Sequence, residues 1–202
     1  MLDKNPEQVL DNNLEKILKE FSNKNPNMVL CSEPFMKSQF LNNLIEVVKF
    51  PVIFLDFDLL YSGYVISEMI SKNDRVEIHQ PIRENFEKIF SNVAKKISEE
   101  RHLVIIDSFN GLNNLFTEIE SGIFINAVIM LLSSISKQKG SIIVVSAMAR
   151  KKENEGWVLS PGGRHIIESR NAGIYHVKGY ENALLFKILN DKQEKVFKII
   201  HK

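Results

Sequence analysis

The sequence predicts an α/β protein: a mostly parallel sheet with helices on both faces and an antiparallel strand extension at its C-terminal edge. Three observations predict it. Short apolar runs at 28–31, 51–57, 103–106 and 141–146 alternate with segments whose apolar residues recur at helical spacing. Within those runs consecutive positions are apolar, as in strands covered on both faces. Beyond residue 172 the strand candidates follow one another with no helix between them.

Each element has its own signal. Leu10, Leu14, Ile17, Leu18 and Phe21 predict an amphipathic helix over about 7–22, and Asn25-Pro26-Asn27 breaks it. Met28 to Cys31 reads as a buried strand. Phe40, Leu41, Leu44, Ile45 and Val48 mark a second helix. PVIFLDF (51–57) is β-branched and aromatic, a strand. Residues 64–71 suit a short helix and 75–79 a short strand. Pro81 is placed as a first-turn proline, with Ile82, Phe86, Ile89, Phe90, Val93 and Ile97 as the helical stripe behind it. LVII (103–106) is a strand ending in Asp107. Ser121 caps a helix through about Ser136 that is apolar on several sides and is expected to be well buried. SIIVVS (141–146) is the next strand. Candidates at 173–178, 183–189 and 195–200 complete the set, the last two joined by a hairpin-type connection at 190–194.

The 202 residues suffice for one sizeable core, read as a single domain over 1–202 with the 7–22 helix ahead of a core at 28–200. Lys+Arg 26 against Asp+Glu 25 excludes a wholly basic nucleic-acid protein and an acidic tail. The balance is uneven, because 149–202 hold 11 Lys/Arg against 6 Asp/Glu. A basic final quarter fits either a local anionic partner or a solvated surface. No run approaches the ~18 apolar residues of a membrane span. Met1-Leu2-Asp3-Lys4 lacks a signal-peptide layout, so a cytoplasmic protein with no membrane partner is expected. The single cysteine, Cys31, founds neither a disulfide nor a metal site, and His79, His102, His165, His176 and His201 show no metal-ligand spacing.

Ligands of open α/β sheets bind at the carboxyl ends of the strands. After the first strand comes Cys31-Ser32-Glu33-Pro34-Phe35-Met36-Lys37-Ser38, read as a loop before the next helix. A phosphate-binding loop reads G-x-x-x-x-G-K-[ST] in this context. Lys37 and Ser38 are in place, but Cys31 and Met36 occupy both glycine positions. Glycine lets backbone N–H groups curl around phosphate, and Met36 and Phe35 put bulk there instead. A surface lysine beside a helix-capping serine is the plainer reading of the pair. The second strand ends in Asp56-Phe57-Asp58 and the fourth in Asp107-Ser108. A strand-end Asp with a loop hydroxyl is the usual holder of a nucleotide's Mg²⁺, which makes Asp107 and Ser38 the candidate pair; Asp107 could equally serve a local turn.

The ordered series resembles the ATPase core of the RecA/RadA recombinase superfamily, with RadA/RadB-like and KaiC-like paralogues nearest. It runs through the degenerate loop, Asp-x-Asp, Asp-Ser, SIIVVSAM (141–148) and SPGGRHIIESRNAGIYHV (160–177). The resemblance covers about 28–200 and implies a RecA-like core. It also places Asp58 at the family's catalytic glutamate and Met148 at its γ-phosphate-sensing glutamine. Phosphate cradling, water activation and phosphate sensing are thus altered together. The resemblance implies a non-catalytic paralogue: a binding or assembly module in DNA recombination or repair. Its partners would be a recombinase, another paralogue or itself. ATP and Mg²⁺ are expected only if Lys37, Ser38 and Asp107 still bind them, as a weak ATPase would require. An RNA-associated scaffold like the Elongator accessory subunits is the other alternative. The family's loop facing single-stranded DNA corresponds to 149–158, where Arg150, Lys151, Lys152 and Trp157, with Arg164 and Arg170 near by, are the candidate contacts. Glu153 and Glu155 weaken that reading, and a solvated loop with a packed Trp157 is its plainer alternative. Phe124-Ile125-Asn126-Ala127 matches the recombinase polymerisation tetrapeptide, but inside a predicted buried helix it reads as core packing.

Overall fold

A computed structural model describes residues 6–116, 121–153, 156–159, 171–181, 183–189 and 196–200. Six helices and nine strands follow in the order α1 (Pro6–Asn23), β1 (Asn27–Cys31), α2 (Pro34–Val47), β2 (Val52–Asp56), α3 (Leu60–Ile66), β3 (Val76–His79), α4 (Phe86–Glu99), β4 (Leu103–Asp107), α5 (Phe109–Leu115), α6 (Ser121–Ser136), β5 (Ile142–Lys152), β6 (Gly156–Leu159), β7 (Gly173–Tyr180), β8 (Ala183–Ile188) and β9 (Val196–Ile200).

One sheet runs β3-β2-β4-β5-β1-β7-β8-β9, with β6 attached to β5. Every pair from β3 to β7 is parallel; β7–β8, β8–β9 and β5–β6 are antiparallel. The parallel block with its antiparallel edge is the expected architecture. Alternate residues of each strand serve opposite faces, as the two-residue strand period demands. Val29, Phe54, Ile105, Val144 and Tyr175 meet α1, α2 and α3 on one face. Leu30, Leu55, Val104, Val145 and Ile174 meet α4, α5 and α6 on the other. Among the described residues no helix is long and apolar enough to cross a membrane.

Several elements depart from expectation. Helix α2 starts at Pro34 rather than near residue 40, with proline in the first turn, where its missing N–H costs nothing. Helix α3 occupies 60–66 rather than 64–71, because Ser62 gives both its backbone N–H and its hydroxyl to Asp56, which anchors the chain as it leaves β2. Ile66 and Met69, within the expected span, are exposed. Pro81 does not open α4. Asn85 Oδ1 accepts from Ile82 N and its own N–H donates to Ile82 O, closing a turn before the helix begins at Phe86. Helix α5 is unforeseen; Ser108 caps it by accepting from Gly111 N.

Two further corrections bear on function. Helix α6 is not buried all round, for Ile123, Phe124, Met130 and Leu131 stand exposed on it. Phe124 and Ala127 therefore lie at the surface, although Phe124 still touches Phe86 and Phe116. The stretch 149–158 is largely a hairpin, with β5 continuing to Lys152 and β6 returning antiparallel. The 190–194 connection and the segment 160–170, with Arg164, His165 and Arg170, lie outside the described residues, as does His201.

Candidate functional site

The parallel register brings the carboxyl ends of β1, β2, β4 and β5 together. Cys31 lies beside Met148, and Asp56 beside Asp107. Lys37 enters this edge from the first turns of α2, Asp58 from just past β2, Asp107 from the end of β4 and Ser146 from β5.

Lys37 Nζ lies 2.6 Å from Asp107 Oδ1 and 3.1 Å from Asp58 Oδ2. The Lys37 and Asp107 side chains are fully buried, and Asp58 keeps 21% exposure. Ser146 Oγ also donates to Asp107 Oδ1. Burial works to discharge Lys37, but the two carboxylates outweigh it and hold its pKa above the ordinary lysine value. Burial pushes the Asp107 carboxyl up, against the pull of Lys37 and Ser146. A buried cation between two acids is satisfied internally and has no charge left over for a ligand. Gly111 of α5 completes the arrangement, since a Cβ there would collide with Asp58 Oδ1.

The strand-to-helix connection tells the same story. A phosphate cradle needs several backbone N–H groups free of the helix. Here only Ser32 and Glu33 separate β1 from α2. Lys37 N already donates to Glu33 O at 3.1 Å. Met36 reaches over β7, where a Cβ on Gly179 would lie 3.3 Å from its sulfur, and Phe35 packs edge-on against Tyr64. The expected loop is a helix turn because Pro34 starts the helix and no glycine stands at Cys31 or Met36 to hold the chain open. The Cys31 thiol, pushed up to about 12 by burial, is no nucleophile either.

These residues do not fit a nucleoside triphosphate with its metal. Ser38 Oγ and Asp107 Oδ2, the two groups the resemblance assigns to Mg²⁺, are buried without hydrogen-bond partners. The lysine that would hold the phosphates beside them is already paired, and Lys37 N is taken by the helix turn. At the sensing position Met148 packs into the core, and its backbone is clasped by Asn110, whose Oδ1 accepts from Met148 N at 2.8 Å and whose Nδ2 donates to Met148 O at 3.2 Å.

The other candidate contacts stand on the β5–β6 hairpin. β5 runs four residues past the last pairing of β1 with it, so 149–152 overhang the same edge. Ala149 is buried, Arg150 and Lys151 are exposed, Lys151 opposite Trp157, and Lys152 is half-buried. Trp157 is itself half-buried, its ring centroid 4.4 Å from that of His176. Burial and the nearby Lys178 and Lys187 push the His176 pKa down. An open cavity of about 530 Å³ lies at the opposite, amino edge of the sheet. Its cations, Lys24, Arg101, Lys137 and Lys139, follow the C-termini of α1, α4 and α6, whose carbonyls they complement. Among the described residues no group of three or more His, Cys, Asp or Glu could hold a metal.

Sequence reasoning found Lys37, Asp58 and Asp107 but read them as separate family positions, not as one ion cluster. It missed Ser62, Asn110, Gly111 and Ser146. Ser146 was legible as the polar end of SIIVVS; the others sit in runs with no pattern of their own.

No family model matches this chain, and no curated protein matches it. Its fold is similar to that of a number of solved structures, among them the following three. A RadB recombinase matches with TM-score 0.57 and 11% identity over 85% of this chain and 86% of that one. A DnaB-like replicative helicase, solved for its interactions with primase, matches with TM-score 0.57 and 11% identity over 87% of this chain. The cytoplasmic domain of the type VII secretion ATPase EccC of Thermomonospora curvata matches with TM-score 0.52 and 8% identity over 90% of this chain. The chain spans 55% of the helicase and 24% of the EccC domain. With the parallel sheet, its antiparallel edge and the strand-end carboxylates, these likenesses show that the chain has the RecA-like fold.

Proposed function

We propose that this protein is a RecA-like module without ATP turnover, which acts by binding or assembly in a DNA transaction such as recombination or repair. One observation carries the reading. The lysine that would hold phosphate is fully buried between Asp107 and Asp58, in the first turn of a helix that begins three residues after β1 ends. The same residues that resemble an ATPase site thus serve as an internal brace. Two of the similar structures belong to a recombinase and a replicative helicase, which supports the DNA context. The overhanging hairpin, with three consecutive cations at Arg150, Lys151 and Lys152 and the chain's only tryptophan, supports nucleic-acid contact at the carboxyl edge.

A thermal-shift titration with Mg²⁺–ATP tests the core of this reading. Saturation to 100 times the dissociation constant stabilises a protein by about 2.7 kcal/mol. No shift at millimolar nucleotide is expected. A raised melting temperature that Ser38→Ala abolishes would restore the weak-ATPase reading and overturn the proposal.

A further inference from the structure

Helix α6 differs from its neighbour α4 in the same layer. The outer face of α4 carries Glu87, Lys88, Lys95, Lys96 and Glu99. The sixteen residues of α6, SGIFINAVIMLLSSIS, hold no charge at all. Its inner face is spent on the core through Ile125, Ile129 and Leu132. Its outer face shows Ile123 at 77% exposure, Leu131 at 58%, Met130 at 45% and Phe124 at 43%, with Ala127 and Ser134 exposed between them. Contiguous apolar surface of this kind marks an interface rather than a solvated face.

We infer that α6 is the contact by which two copies of this chain pair about a two-fold axis. Three features of the stripe select a second copy. Ile123, Ala127, Met130 and Ser134 are spaced four, three and four apart, the seam spacing of paired helices. In an antiparallel pair centred between Ala127 and Met130, Ile123 of one chain faces Ser134 of the other and Ala127 faces Met130. Each large side chain then lies over a small one, so the stripe is complementary to itself. An isologous contact also brings the same surface together twice, so any net charge on it is doubled, and α6 brings none. Phe124 and Leu131 flank the seam and widen the buried strip along a helix of about 24 Å. The inference rests on α6 alone, on the sheet face away from α2, and is independent of whether nucleotide binds.

Sedimentation velocity over micromolar concentrations tests it, with the full chain and two variants. The wild type should sediment as a dimer. Leu131→Glu should weaken the dimer by more than about 30-fold without lowering the melting temperature of the dilute monomer, because Leu131 is largely solvent-exposed there. Ala127→Trp should also weaken it, since the added bulk collides with Met130, although the helix becomes more apolar. A wild-type monomer throughout would overturn the pairing and leave the face to a different apolar partner. Tighter association of Ala127→Trp, or a dimer unchanged in Leu131→Glu, would overturn it equally: the first would show non-specific adhesion and the second an interface elsewhere.

Discussion

At the residue scale the molecule turns on Lys37. Taking charges out of water is costly, and the cluster is tolerable because Lys37 pairs with both Asp107 and Asp58 while Ser146 donates to Asp107 Oδ1, leaving Asp107 Oδ2 without a partner. Removing one partner leaves a buried charge, so Lys37→Met should lower stability by about 3–5 kcal/mol. Combining it with Asp107→Leu should recover much of that deficit, and a denaturant double-mutant cycle reads the coupling directly. If Lys37 were instead poised for phosphate, the two effects would simply add. His176 gives the second expectation. Its pKa in the folded protein lies below the ordinary 6.5, so the native state binds fewer protons than the unfolded one. The stability this represents is present above pH 6.5 and is lost as pH falls below it towards the depressed folded value. A melting-temperature series from pH 7.5 to 5 should fall more steeply for the wild type than for His176→Phe, which cannot titrate.

At the element scale the decisive feature is where helices begin. A few residues of extra loop before α2 would let the chain curve around a phosphate, whereas Pro34 in the first turn starts the helix at once and brings no N–H of its own. The β5–β6 hairpin shows the opposite tendency, since it lengthens a strand beyond its parallel neighbours and pairs it only with β6. Cations there lie outside the core, so substituting them should cost little stability. Arg150→Glu with Lys151→Glu should weaken binding to a single-stranded oligonucleotide and flatten the salt dependence by roughly 0.7 in log–log slope for each phosphate no longer neutralised. An unchanged affinity and slope, measured by fluorescence anisotropy, would remove nucleic-acid contact from the proposed function.

At the scale of the whole molecule, α1 is part of the core rather than an appendage ahead of it. Leu14, Ile17 and Phe21 are at most 1% exposed and belong to the same cluster as β7, β8 and β9. Phe21 contacts Tyr175 and Phe186, and Asn13 Nδ2 donates to Lys198 O at 2.9 Å. Each buried side chain of this kind contributes about 1.5–3 kcal/mol. Three together rival the ~5–15 kcal/mol that stabilises an ordinary domain. Deleting residues 1–24 should therefore abolish cooperative thermal unfolding, which calorimetry would show. A truncated chain that still melts sharply would mean that the antiparallel edge stands without its cover.

Local apolar spacing was enough to specify the sheet, because strand burial on two faces and helix amphipathicity are both written in it. The runs at 51–57, 103–106 and 141–146 are β2, β4 and the first part of β5, and the late antiparallel strands lie where they were expected. Local pattern also marked Lys37, Asp58 and Asp107 as chemically notable. What those residues do emerged only from the folded chain. Ion pairing depends on which strands are neighbours and on the angle at which α2 enters, and neither is a property of any short window. The same holds for α6. Its apolar residues look alike in sequence, and only packing against β5, α4 and α5 separates the side that is buried from the side left bare.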